Sequence, residues 1–374
     1  MTSTKSGAAK TSEFGIDVAV KHKRLQEAHE SLQFLIDHGK GFELLTLVGG
    51  TGAGKSLLIE KLFEHLMSRE REEMERDADY VPAVVTKAWH SGYRAFDWKS
   101  LYRDASKAVG DPFAWMRRPD READLKRTRF GGEPPTITGY RRSMQAEFEY
   151  RRTKYWFIDE AQHILTGAKA GGPADQFDVL KSVAQTSRVK IILVGPHSLL
   201  THVDCSAQLA RRTNCVQLHR YHVTHEGDMD DFASCVAAFL TRLPLTSYPD
   251  VEENIDFYYA GSTGCVGILK EWCERAAEYM WRAGGGRALT LEHLRATRLR
   301  KSALEKIWSE LLEGELLLKE GDDPEFGALE AQTRVRLTPG PGTPSRKAEA
   351  RKPEKPGIRN PTRDPVPPVL GATR

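Results

Sequence analysis

The sequence predicts an α/β protein: a parallel five-stranded sheet with helices on both faces, followed by a small all-helical region. Three observations lead there. Short apolar runs alternate with segments of helical period as far as Arg220. A glycine-rich turn joins the first of those runs to a helical segment, and beyond Arg220 only the helical period remains.

The elements follow in chain order. After a polar opening, expected to be disordered over residues 1–16, the apolar residues Leu25, Ala28, Leu32, Leu35 and Ile36 recur at helical spacing, and Gly39 and Gly41 stop that helix. "ELLTLV" is short and apolar, as a buried strand is, and Leu58, Ile59, Leu62, Phe63 and Leu66 then mark one face of a helix. "VPAVVTKAW" reads as a second strand, with a helix from about Asp97 to Val109. A proline-containing insertion, residues 111–135, carries six Lys/Arg between Arg117 and Arg129 and leads into a helix ending near Tyr150. "YWFI", "VKIILV" and "CVQL" supply strands three, four and five. Three further helical faces come after: Phe232 to Leu243, Val266 to Met280, and Leu304 to Leu311. The domains expected are an α/β domain over 17–222, a helical domain over 223–318, and a basic, proline-rich disordered tail over 319–374. From Arg334 onward the tail has ten Lys/Arg, three Asp/Glu and nine prolines, too little apolar surface to offset its ordering entropy. It reads either as a solvated tail or as one that touches DNA phosphates or a partner protein.

"GGTGAGKS", Gly49 to Ser56, fits G-x-x-x-x-G-K-[ST] between a strand and a helix, the context its chemistry needs. Successive N–H groups of Gly49, Gly50, Thr51, Gly52, Ala53 and Gly54 can turn inward on a phosphate, and the N-terminus of the next helix, through Leu57, adds its dipole. Lys55 is placed to reach the β- and γ-phosphates of ATP, and the Ser56 hydroxyl to ligate Mg²⁺. The third strand ends in Asp159-Glu160 within "YWFIDEAQH", which puts two carboxylates at the sheet edge that also carries the phosphate loop. Asp159 is expected to hold Mg²⁺ through its water shell, and Glu160 to polarise the attacking water. His197 or Ser198, just after the fourth strand, stands beside the phosphates as a reporter of the γ-phosphate. "SAQLARRTNCVQL" sets Arg211 and Arg212 before the fifth strand; Arg212, or failing it Arg211, is the expected arginine finger toward a neighbour's γ-phosphate.

Composition bounds the alternatives. No apolar run approaches the roughly 20 residues of a membrane span, so none is expected. The polar N-terminus has no apolar signal core, and five cysteines form no C-x-x-C pair; a cytoplasmic location with reduced thiols is expected. A net charge of +3 diagnoses no nucleic-acid partner by itself. His219, His222 and His225 near Cys215 lack a second ligand pair for zinc. A small-molecule kinase would share the phosphate loop, but Glu160 beside Asp159 favours attack by water.

A phosphate loop, a strand-end Asp-Glu, a polar residue after strand four, an arginine before strand five and a helical lid together resemble an AAA+ ATPase. Within that class, residues 20–280 resemble the bacterial TniB/TnsC transposition regulators, relatives of MuB, through "ELLTLVGGTGAGKSLLIEKLF", "FIDEAQHIL" and "ILVGPHSLL" with Asp204, Gln208 and Arg212. The resemblance implies an ATPase that oligomerises as rings or helical filaments on duplex DNA without sequence preference. It further implies ATP between subunits, partners that include a transposase and a target selector, and hydrolysis that drives disassembly. Arg94, Lys99 and Arg103 are candidates for DNA phosphates, against the plainer reading of a solvated helix face. Where such ATPases carry a lid arginine, "YYAGSTGCVGILKEW" offers Cys265, Val266 and Gly267, with Lys270 the nearest cation; slow, regulatory hydrolysis is the expectation.

Overall fold

The computed structural model describes residues 20–39, 43–90, 92, 96–110, 112, 136–166, 172–203, 213–284 and 286–319. The Arg94, Arg211 and Arg212 assignments, most of the basic insertion and the tail lie outside them.

Helix α1 (Lys23–His38) precedes β1 (Leu44–Gly49), and α2 (Lys55–Arg69) and α3 (Arg71–Arg76) lead to β2 (Ala83–Lys87). Helices α4 (Trp98–Gly110) and α5 (Ile137–Tyr150) come before β3 (Tyr155–Asp159); α6 (Gln162–Thr166) and α7 (Gly172–Ser187) come before β4 (Lys190–Gly195). A 3₁₀ turn (His197–Leu199) and α8 (Leu200–Val203) follow β4, and β5 (Thr213–Leu218) completes the sheet. The five strands stand in the order β2-β3-β4-β1-β5, all parallel.

Both faces of the sheet are buried, which is why its strands read as unbroken apolar runs. Strand alternation sorts the side chains. Trp156, Ile158, Ile191 and Leu193 pack with Leu101, Tyr102, Phe148 and Phe177 on one side. Phe157, Ile192, Val194, Leu45 and Leu47 pack with Leu32, Leu58, Leu62 and Phe63 on the other. Thr86 solves the polar problem of the first side, since its hydroxyl accepts the Trp156 indole N–H at 2.9 Å deep in the core. Emptying such a site, as Trp156→Ala would, costs about 3–5 kcal/mol.

Among the described residues, no strand follows β5. Helices α9 (Asp228–Arg242), α10 (Ile255–Ser262), α11 (Val266–Gly284), α12 (Leu291–Thr297) and α13 (Lys301–Lys319) follow. Trp272, Phe232, Val236, Tyr258 and Leu269 form their shared core, which Val20 and Tyr221 join from outside the helices. Thr290 closes a capping box with His293 at the start of α12. Among the described residues, no helix is long and apolar enough to cross a membrane. The described residues belong to one compact unit.

Because the strands are parallel, their C-terminal ends share one edge. With β4 between β3 and β1, the turns after all three strands become neighbours on that edge.

Candidate nucleotide site

The site grows from the end of β1. Gly49 is its last residue, and the chain turns through Gly50, Thr51, Gly52 and Ala53 to Gly54, which caps α2 with φ +103°. Only glycine takes that conformation without strain. Lys55, Ser56 and Leu57 are the first turn of α2, so the loop ends on a helix N-terminus whose N–H groups have no partners within the helix. The Lys55 ammonium folds back over the loop and donates to the carbonyls of Gly49 and Gly50, both at 2.8 Å. An ammonium has three donors, so one remains for an anion. Burial lowers the Lys55 pKa, and the charges of Asp159 and Glu160 act against that shift.

Asp159 closes β3. One of its carboxylate oxygens accepts the Glu160 N–H at 2.9 Å, and burial raises the pKa of the group. A half-buried carboxylate and an exposed serine hydroxyl at the helix start are hard oxygen donors, the set that suits Mg²⁺. Glu160 has φ +54°, left-handed and uncommon for a side chain of its size. Its carboxylate accepts from Gln162 Nε2 at 2.6 Å and lies 3.8 Å from Lys87 Nζ. Lys87 ends β2 and is the register partner of Asp159, which explains how it comes to the site. Sequence reasoning missed it, because the signal, a cation at the end of strand two, has meaning only once β2 is known to lie beside β3.

His197 and Ser198 begin the turn after β4. Ser198 is exposed, whereas His197 is buried. The Gln217 side-chain amide, from β5, lies 3.1 Å from His197 Nε2; with the amide donating, the ring proton sits on Nδ1. Burial keeps that ring neutral and takes its pKa down to about 4. Lys99 and Arg103 sit on the exposed side of α4, with Arg103 donating to Ser100 at 3.2 Å.

The helical region reaches the loop directly. The Gly267 N–H donates to the Gly52 carbonyl at 2.7 Å, and a methyl group at either glycine would collide, with Gly52 O in one case and with Ile268 in the other. No side chain fits at 267 in this arrangement. Lys270 points elsewhere on α11 and pairs with Glu274 at 3.6 Å. From the far end of the chain, Leu311 of α13 packs on Gly50 and joins Cys265 and Ile268 in a small apolar cluster.

Residues 38–202 match the family model described as "AAA domain". Among solved structures, the chain is similar to the Walker-type ATPase paby2304 of Pyrococcus abyssi, at 14% identity over 88% of this chain and 89% of that one, with a TM-score of 0.45. It is also similar to Cdc6p from Pyrobaculum aerophilum (14% identity, 77% and 70% covered, TM-score 0.47) and to the ORC2 protein of Aeropyrum pernix (12% identity, 79% and 74% covered, TM-score 0.49). No curated protein matches the sequence. With the matched segment spanning the loop, the Asp-Glu strand end and the turn after β4, the chain has the fold of the AAA-domain P-loop ATPases.

Proposed function

We propose that this chain binds and hydrolyses ATP, assembles on duplex DNA, and couples target-site choice to a transposase. One observation supports the ATPase half: the Lys55 ammonium, the Asp159 and Glu160 carboxylates and the N-terminus of α2 converge on one edge of the sheet. The transposition half rests on the sequence resemblance of residues 20–280 to the TniB/TnsC regulators.

In this reading, residues 17–222 form the nucleotide-binding domain and 223–318 its lid. The loop N–H groups hold the β-phosphate, and the remaining Lys55 donor takes a γ-phosphate oxygen. Ser56 and Asp159 hold Mg²⁺, which supplies charge neutralisation on the phosphate oxygens when bound. Glu160 orients the attacking water, and Arg212, or Arg211, reaches a neighbouring subunit's nucleotide. Arg94, Lys99 and Arg103 meet DNA phosphates.

The test is negative-stain microscopy of the full chain with a slowly hydrolysed ATP analogue, with and without duplex DNA, beside Lys55→Ala. Rings or filaments that need both ligands and vanish in the variant are expected. Monomers under every condition would refute assembly on DNA.

A further inference from the structure

The sequence suggests nothing unusual about α13 beyond an apolar face, yet this helix lies across the phosphate side of the site. Its packing is close at two points. At the first, Leu311 rests so near Gly50 that a β-carbon there would overlap the leucine side chain. At the second, Gly314 sits against His197, where a β-carbon would overlap the imidazole and lie within about 2.5 Å of Nδ1. Glycine is a poor residue for the middle of a helix, and here its lack of a side chain permits that approach.

An anchor holds the helix down. The Arg220 guanidinium grips Glu315 with two hydrogen bonds, Nε to Oε1 at 2.7 Å and Nη2 to Oε2 at 3.1 Å, and both residues are buried. Trp308 lies over the same guanidinium, 4.5 Å from ring centre to Cζ, and Tyr259 accepts from Nη1 at 2.9 Å.

Two consequences bear on a polyanion. His197 has Nε2 engaged by Gln217, and Gly314 of α13 lies against the ring on its Nδ1 side. A cavity of about 360 Å³ remains between Gly50, Thr51 and His197 on one wall and α13 on the other, and α13 contributes Glu310 and Glu313 to it. Negative charge on the wall of a cavity beside a phosphate loop opposes a phosphate there.

We infer that α13 is an internal strap over the phosphate loop, and that a nucleoside triphosphate binds in competition with it, lifting residues 301–319 from Gly50 and His197. The inference rests on the nucleotide reading of the loop. Apparent affinity is then the intrinsic affinity reduced by the fraction of molecules with the strap released. The reciprocal also holds: nucleotide shifts α13 toward the released form by the same factor.

Gly314→Ala tests this without unravelling the helix, since alanine is the better helix former while its methyl group wedges α13 from His197. Leu311→Ala removes the other contact without touching His197. In the full chain, each variant should bind a fluorescent non-hydrolysable ATP analogue at least about threefold more tightly than the unaltered protein. Hydrogen exchange of the unaltered chain supplies a second readout, with the analogue expected to speed exchange in 301–319. Equal or weaker binding by both variants, or protection of 301–319 by the analogue, would overturn the strap. Failure of the unaltered protein and both variants to bind any analogue would instead remove the nucleotide reading, and the strap with it.

Discussion

Glu160 is held at both carboxylate oxygens: Gln162 Nε2 donates to Oε2 at 2.6 Å, and Lys87 Nζ lies 3.8 Å from Oε1. Lys87 and Glu160 are each about two-fifths exposed, so their pairing contributes under about 1 kcal/mol. A weak tether on a water-orienting group is one that a ligand or neighbour can displace. Lys87→Met should therefore free Glu160 and raise kcat for ATP by about threefold at low salt, with a smaller gain at high salt. An unchanged kcat in steady-state phosphate release would show that Lys87 does not restrain Glu160.

Glu160→Gln keeps the side-chain volume and the capacity to hydrogen-bond to Gln162, but it cannot accept a proton. We expect kcat to fall by about 10²-fold or more with ATP affinity retained. Equilibrium binding with single-turnover hydrolysis reads both, and a variant that hydrolyses normally assigns the base elsewhere.

The Arg220–Glu315 pair predicts an asymmetry in stability. Glu315→Ala leaves a guanidinium buried without its carboxylate and should cost about 3–5 kcal/mol of whatever unfolding step includes α13. Replacing both at once, Arg220→Met with Glu315→Leu, should recover most of that loss. Urea denaturation of the three proteins decides; a double variant no better than the single would mean the pair's cost is steric.

Acid should loosen the fold through its buried histidines. Burial lowers His22 and His197 from the ordinary 6.5 to about 4. Between those values the unfolded chain takes up protons that the folded chain refuses. The stability they confer is thus complete above about pH 6.5 and is lost as pH falls toward about 4, on the order of 1–3 kcal/mol for each histidine. His197→Gln should flatten the decline in urea midpoint between about pH 7 and pH 5. A slope that stays the same would mean His197 is not the group responsible.

The sequence makes the strands and the phosphate loop legible for a physical reason. A strand buried on both faces has nowhere to put a polar residue, so "LLTLV" and "YWFI" announce themselves. The long amphipathic helices α1, α2, α9, α11 and α13 show by their apolar spacing; α10 and α12, of eight and seven residues, are too short for a period to emerge. What stayed hidden depends on contacts between distant parts of the chain. Lys87 gains its meaning from β2 lying beside β3, and Gln217 from β5 lying across β1 from β4. Gly267 and Gly314 look like helix defects in the sequence. Only the structure shows the backbone of Gly52 and the ring of His197 in the space their side chains would fill.

The hydrogen bond from Gly267 to Gly52 bears on how this protein can change over time. Residues 52 and 267 are more than two hundred positions apart, yet a β-carbon at 267 would meet the Gly52 carbonyl and one at 52 would meet Ile268, the residue after Gly267. The phosphate loop and the helical region are consequently not interchangeable parts. A chimera that imported α11 with an ordinary residue at its second position would disturb first the loop it was meant to leave alone.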